Sequence, residues 1–124
     1  PQQLLENARG LVRTGGRLLL STQSGKVRET ERRIGHQRHF TVAEMSALLD
    51  RAGWQPVRVY NCGFPFHDLS KWYANRDPDA SMQQFAGGKY GLREDVLCFI
   101  LRLAFRFNSR SHGAQLFAVA RKVG

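Results

Sequence analysis

The order of apolar and polar positions predicts alternating helices and strands in the first part of the chain. Residues 1–13 repeat apolar side chains at every third or fourth position, which is the spacing of one helix face. Gly15 and Gly16 are expected to end this helix, because glycine adopts the left-handed conformation of a helix C-terminus without strain. Residues 17–22 (RLLLST) are a continuous apolar run and predict a strand buried on both faces.

A basic loop and a second helix are predicted next. The loop spans residues 23–37, which are rich in Lys and Arg and show no sustained periodicity, so we expect it to be mobile. Thr41 and Glu44 have the spacing of a capping box, and Phe40 with Met45 has that of a hydrophobic staple. The second helix is therefore predicted to begin at Thr41.

A second strand and an irregular segment follow that helix. Gly53 ends the helix, and residues 55–62 alternate in polarity like a strand, with Val57 and Val59 on one side. Residues 64–95 are rich in aromatic residues, Gly and Asp and contain two prolines, which predicts an insertion of short helices and loops.

The last third of the chain combines a strongly apolar segment with a third strand. Residues 96–107 are apolar on most sides of a helix, which predicts burial. Flanking arginines support an alternative, in which this helix is a lid that docks on an anionic membrane or a lipid-linked substrate. Residues 108–113 predict a turn and residues 114–121 (AQLFAVAR) a strand. The whole order predicts an α/β fold with one unpaired sheet edge, so we expect a missing segment upstream.

Charge is the unusual feature of the composition. The 124 residues are 42% apolar and 23% charged, as in an ordinary domain or part of one, but carry a net charge of +9 that is concentrated towards both ends. Such a charge suits phosphate-bearing partners and suits a solvated basic surface equally well. One hypothesis is therefore a non-catalytic module that binds nucleic acid, or an anionic membrane, through Lys26, Arg28, Arg32, Arg33 and Arg38.

Targeting signals and the spacing of cysteines and histidines bear on cellular location and on metal binding. No apolar run approaches the roughly 20 residues that cross a bilayer, and the N-terminus lacks both Met and the order of a signal peptide. We therefore expect a cytoplasmic chain that is incomplete at its start. Cys62 and Cys98 lack a CxxC pair, and no third ligand accompanies His36 and His39. We predict two buried reduced thiols and no metal site.

Four segments carry a family pattern when taken in order. The segment LVRTGGRLLLST joins a helix end, a Gly-Gly turn and a strand, and GHQRHFTVAEMSALLDRAGW adds Gly-His, Phe-Thr and Ala-Gly-aromatic marks. QPVRVYNCGFPF and GAQLFAVARK follow. Together they resemble the C-terminal half of class I S-adenosylmethionine-dependent methyltransferases, from the fifth to the seventh strand. The resemblance implies a Rossmann-like α/β sheet in which the last strand runs antiparallel between the other two.

The resemblance also implies a function. It implies methyl transfer from S-adenosylmethionine to a small-molecule or lipid-linked acceptor, with this chain supplying the substrate-side half and a variable insertion at about 64–112. The family's glycine-rich turn and ribose-binding carboxylate have no counterpart here. Cofactor-binding residues are therefore expected upstream, in a missing N-terminal half, and the chain alone is predicted to be inactive. Nucleic acid is the less favoured partner, and peripheral membrane contact is an alternative.

Candidate site residues follow from chemistry and position. His36 and His39 follow the first strand, and a neutral imidazole there can take a proton from the acceptor. The alternative is that both only fix the loop. Arg38 can hold a phosphate or carboxylate, and aromatic residues can line a pocket or simply pack. The predicted substrate-binding residues are Arg38, Phe40, Phe64, Phe66, His67, Trp72 and Tyr73.

Overall fold

The described residues form one three-stranded sheet. A computed structural model describes the backbone of residues 1–87 and 91–124 and the side chains of residues 1–83 and 91–124. The strands are β1 Arg17–Gln23, β2 Trp54–Cys62 and β3 Gln115–Lys122. Their order in the sheet is β1-β3-β2, and β3 is antiparallel to both neighbours. This is the central antiparallel strand that the resemblance implied.

Of the described helices, two pack on the sheet, one lies in the basic loop and three come from the insertion. In the described residues the helices are α1 Gln2–Leu11, α2 Glu29–Arg33, α3 Val42–Arg51, α4 Phe66–Ala74, α5 Pro78–Gly87 and α6 Leu92–Phe105. The first and third pack on one face of the sheet. The last three lie within the predicted insertion, of which residues 88–90 are outside the described part of the chain.

Local sequence explains where α3 begins. Thr41 Oγ1 accepts a hydrogen bond from the Glu44 amide at 3.2 Å, and Glu44 Oε2 accepts one from the Thr41 amide at 2.8 Å. This is the predicted capping box. Phe40 packs against the core beside it. The predicted loop 23–37 is partly helical, because α2 forms within it.

The core lies on one face of the sheet only. Leu49, Trp54 and Leu116 are fully buried, and Trp54 Nε1 donates a hydrogen bond to the Leu5 carbonyl at 2.9 Å. The prediction that the first strand is buried on both faces is wrong, since Leu19 is 77% exposed. No described helix packs over Leu19 itself, although the end of α6 at Phe105 lies beside Tyr60 and Phe117 on the same face of the sheet.

A bulge changes the second strand. The pairing of β2 with β3 shifts register between Pro56 and Arg58, which leaves Val57 as an extra residue. Val57 is 57% exposed, whereas Val59 packs against the core. The prediction that these two valines lie on one side of the strand is therefore wrong, because the extra residue reverses the alternation of side chains.

The predicted burial of the apolar C-terminal helix is also wrong. No residue of α6 is buried, since no other described element covers its outer side. Cys98 is exposed and Cys62 is half-buried, so the prediction of two buried thiols fails as well. None of the described helices is both long and apolar enough to cross a membrane.

Candidate functional site

Polar side chains from several elements meet beyond the carboxyl end of β1. Lys71 Nζ on α4 lies 2.5 Å from Glu31 Oε1 on α2, and it donates a hydrogen bond to Gln23 Oε1 at the end of β1, at 3.1 Å. His39 Nε2 lies 3.6 Å from Glu31 Oε2. Both charged side chains are only 10% exposed, and that of His39 is 1% exposed. We call Gln23, Glu31, His36, His39 and Lys71 the polar cluster.

Local contacts hold Glu31 in this position. Its Oε2 accepts a hydrogen bond from the Arg28 amide at 2.8 Å, at the start of α2. Thr30 Oγ1 donates to Asn75 Oδ1 at 3.0 Å and so ties α2 to the end of α4. The short helix α2 therefore places a carboxylate between the first strand and the insertion.

The two histidines differ in their surroundings. His36 Nδ1 lies 3.4 Å from His39 Nε2, and the rings meet edge to face with their centroids 5.6 Å apart. His36 is exposed, whereas His39 is buried. His39 thus lies between the exposed His36 ring and the buried ion pair of Lys71 with Glu31.

The charges favour a neutral His39 beside an ionised Glu31. Burial lowers the pKa of His39; the Glu31 carboxylate opposes this, while Lys71 and His36 act in the lowering direction. Burial acts to raise the pKa of Glu31, but hydrogen bonds from Lys71 and the Arg28 amide outweigh it and lower that pKa. At neutral pH the cluster thus contains an ion pair and a neutral imidazole that can accept a proton.

Arg38 and Phe40 make local contacts beside the cluster. Arg38 Nη2 donates to Glu44 Oε1 at 3.0 Å, and its guanidinium carbon lies 4.7 Å from the centroid of the Phe40 ring. Both contacts anchor the loop to the start of α3. Their predicted role in substrate binding stays a prediction.

Three of the predicted aromatic residues come together between α4 and α6. Phe66, Trp72 and Tyr73 line an apolar cavity of about 460 Å³, which Leu97 and Leu101 of α6 also line. The cavity and the polar cluster lie on different faces of α4, since Lys71 points towards β1. The structure therefore does not bring these aromatic residues into contact with the histidines.

Phe64 and His67 lie outside that cavity. Phe64 is exposed, and its backbone bonds to Ser109 and His112 in the turn before β3. His67 packs edge to face against Phe105, with centroids 6.0 Å apart. Burial lowers the pKa of His67, and Lys71 lowers it further. Their predicted substrate contacts likewise stay predictions.

The basic loop residues are partly neutralised. Arg33 pairs with Glu29 at 3.2 Å and also with Asp79, and Arg38 pairs with Glu44. Lys26, Arg28 and Arg32 line a separate cavity of about 460 Å³. The five side chains proposed to grip nucleic acid therefore do not form one unpaired basic patch.

Sequence reasoning missed three members of the polar cluster. Gln23, Glu31 and Lys71 were not among the predicted site residues, although they surround His39. Carboxylates within a strongly basic stretch were a local signal, but this signal fits Glu29 as well as Glu31. Lys71 lies far along the chain, so no local spacing connects it to Glu31.

Comparison with known proteins gives a fold but no sequence family. No protein-family model matches the chain, and no curated protein matches it. Among solved structures it resembles phosphoethanolamine N-methyltransferase 2 of Haemonchus contortus in complex with S-adenosyl-L-methionine, with a TM-score of 0.51 and 14% sequence identity. The match covers 99% of this chain and 30% of that protein. The chain therefore has an α/β fold like that of part of a methyltransferase.

Proposed function

We propose that this chain is the substrate-side half of an S-adenosylmethionine-dependent methyltransferase that acts on a small-molecule or lipid-linked acceptor. The observation that carries the proposal is the likeness of nearly the whole chain to part of such an enzyme. The polar cluster supports it, because open α/β sheets bind ligands beyond the carboxyl ends of their strands.

The described residues do not fit the cofactor by themselves. Dinucleotide-like cofactors are held by a glycine-rich turn between a strand and a helix, together with a carboxylate at the end of a second strand. Here β1 leads to the five-residue α2, whose Arg28 amide is already bonded to Glu31. We therefore assign cofactor binding to an upstream half of the domain.

The sheet offers this upstream half one suitable edge. As an outer strand, β2 is protected by Pro56 and the bulge at Val57, two features that discourage strand addition. The seven-residue ladder of β1 pairs with β3 without a register shift and contains no proline. Its outward-facing Leu19 is exposed. We propose that the upstream half pairs along β1 and covers Leu19.

In this proposal the histidines handle the acceptor's proton. An oxygen nucleophile must lose a proton as it accepts a methyl group, and the exposed His36 ring takes it at Nε2. His36 Nδ1 then donates to His39 Nε2, 3.4 Å away. His39 can accept this hydrogen bond because burial keeps it neutral. The Lys71–Glu31 ion pair holds the surrounding helices in place.

The cavity between α4 and α6 suits the apolar part of an acceptor. Its lining is mainly hydrocarbon and aromatic, and its volume of about 460 Å³ is within the range of ligand pockets. A hydrocarbon chain or a flat ring fits this chemistry better than a charged group does.

The first test is calorimetric titration of S-adenosylhomocysteine into two forms of the protein. One form is the 124-residue chain, and the other extends upstream to the natural start codon. Binding to the extended form alone supports the proposal. Binding to neither form would overturn it.

The second test assigns the histidines in an acceptor screen with the extended form. His36→Ala should lower kcat about 10²-fold or more with little change in KM, the usual effect of losing a general base. His112→Ala is the matched control, because His112 is exposed in the turn before β3. Equal activity of the two variants would contradict the role of His36.

A further inference from the structure

The outer side of α6 is an apolar surface without a partner in the described chain. Leu92, Val96, Phe99, Ile100 and Leu103 are exposed at helical spacing, and Phe107 extends the stripe just beyond the helix. The Phe99 side chain, for example, is 62% exposed. Exposed apolar stripes of this extent mark sites of interaction. We call these six residues the α6 outer face.

Arginines border this face on both sides. At 100° per residue, Arg93 lies beside Ile100 at one border, while Arg102 and Arg106 lie beside Phe99 at the other. Asp95 is the one carboxylate at these borders, since Glu94 is half-buried and accepts a hydrogen bond from the Gly91 amide at 2.9 Å. Arginine at the border of an apolar stripe can keep its charge in the headgroup layer while the stripe enters the acyl boundary.

Aromatic side chains of α4 lie beside α6, on the side of the helix that faces α4 rather than on the α6 outer face. Trp72 and Tyr73 line the same cavity as Leu97 and Leu101 of α6, yet both remain largely exposed. Trp and Tyr are enriched where proteins meet the interface between lipid and water. The guanidinium of Arg76 covers the Trp72 ring at 4.9 Å and adds a further positive charge.

We propose that the α6 outer face binds the surface of an anionic lipid bilayer, with α6 lying parallel to the membrane plane. Positive borders around an apolar stripe complement anionic headgroups above acyl chains. The helix has 14 residues and is too short to span the bilayer, so it lies in the interface. This inference is independent of the proposed methyl transfer.

The test is cosedimentation with vesicles, using the 124-residue chain and the form extended to the natural start codon. Vesicles of phosphatidylcholine mixed with phosphatidylglycerol are compared with vesicles of phosphatidylcholine alone. Both protein forms should sediment with the anionic vesicles, and added salt should weaken this binding because it screens the charges. Little binding to the neutral vesicles is expected.

Variants separate the apolar and the charged contributions. Phe99→Ser with Ile100→Ser should weaken binding at least about tenfold, whereas Leu11→Ser, on an 89% exposed residue of α1, should not. Arg102→Gln and Arg106→Gln should each weaken it about fivefold, and Arg13→Gln is their control. Circular dichroism should show every variant folded, since each changed side chain is exposed.

Each of the following results would overturn the proposal. The first is equal binding to neutral and anionic vesicles, or unchanged binding by the Phe99→Ser/Ile100→Ser variant. The second is binding by the short form but not by the extended form, which would mean that upstream residues cover α6. The third is a dimer that the same double variant dissociates, with no vesicle binding, which would identify a second copy as the partner.

Discussion

Helices α3 and α6 are both strongly apolar, but only α3 packs against the sheet. The ten-residue α3 buries Met45, Leu48 and Leu49, whereas no residue of the fourteen-residue α6 is buried. The apolar side chains of α3 pack against β2 and β3 of the same chain. Apolar content therefore shows that a surface needs a partner, but not whether this chain supplies it.

Charged side chains show the same contrast. The ion pair of Lys71 with Glu31 is almost fully enclosed, while that of Arg38 with Glu44 is largely open to solvent. An enclosed pair is costly to break, because removing one partner leaves a desolvated charge. An exposed pair is screened by water and contributes little.

The largest expected effect tests the contrast between the helices directly. Leu49→Ala should lower the free energy of unfolding by about 2–5 kcal/mol, because it leaves a cavity at a fully buried position. Ile100→Ala on α6 should change it by less than about 0.5 kcal/mol, as at other exposed sites. Urea unfolding of both variants measures the difference. Similar losses would show that α6 is covered in the folded protein.

The next effect concerns the enclosed ion pair. Lys71→Met should lower the free energy of unfolding by about 1–3 kcal/mol, since Glu31 keeps its charge without its cation. Adding Glu31→Gln should recover part of this loss, because the carboxylate is then gone. Lys26→Met, at an exposed residue, is the control. If the double variant were as unstable as the sum of the single ones, the pair would not be coupled.

A smaller effect is the pH dependence of stability. Burial holds the pKa of His39 and of His67 below the ordinary 6.5, so the unfolded chain takes up protons first as pH falls. Stability should therefore be greater above pH 6.5 and decrease as pH falls through that value towards the lower native pKa values. Urea midpoints measured across this range test the sign. His39→Gln should flatten the curve, and no change in slope would contradict the burial of this ring.

The smallest effect on stability is expected at the exposed pair. Arg38→Gln should leave the free energy of unfolding almost unchanged, because exposed ion pairs contribute little. If Arg38 holds an anionic group of the acceptor, the same variant should raise KM in the extended form. Loss of stability without a change in KM would assign Arg38 to the fold alone.

Local sequence was sufficient to predict the elements that depend on residues close together in the chain. The capping box of Thr41 and Glu44 placed the start of α3, and the run RLLLST placed β1. His36 and His39 were also identified from sequence as a pair beyond the first strand. Each of these predictions rests on residues that are close together in the chain, where spacing alone determines which side chains meet.

Only the tertiary structure decided which faces are covered and what surrounds the histidines. Leu19 belongs to an apolar run yet is 77% exposed, because no described helix packs over this side chain. Val57 is turned out of the core by a bulge that depends on the pairing with β3. Lys71 reaches Glu31 only because α4 folds back against α2. Sequence periodicity determined the elements and their apolar faces, whereas contacts between distant residues, which leave no local pattern, decided burial and the composition of the site.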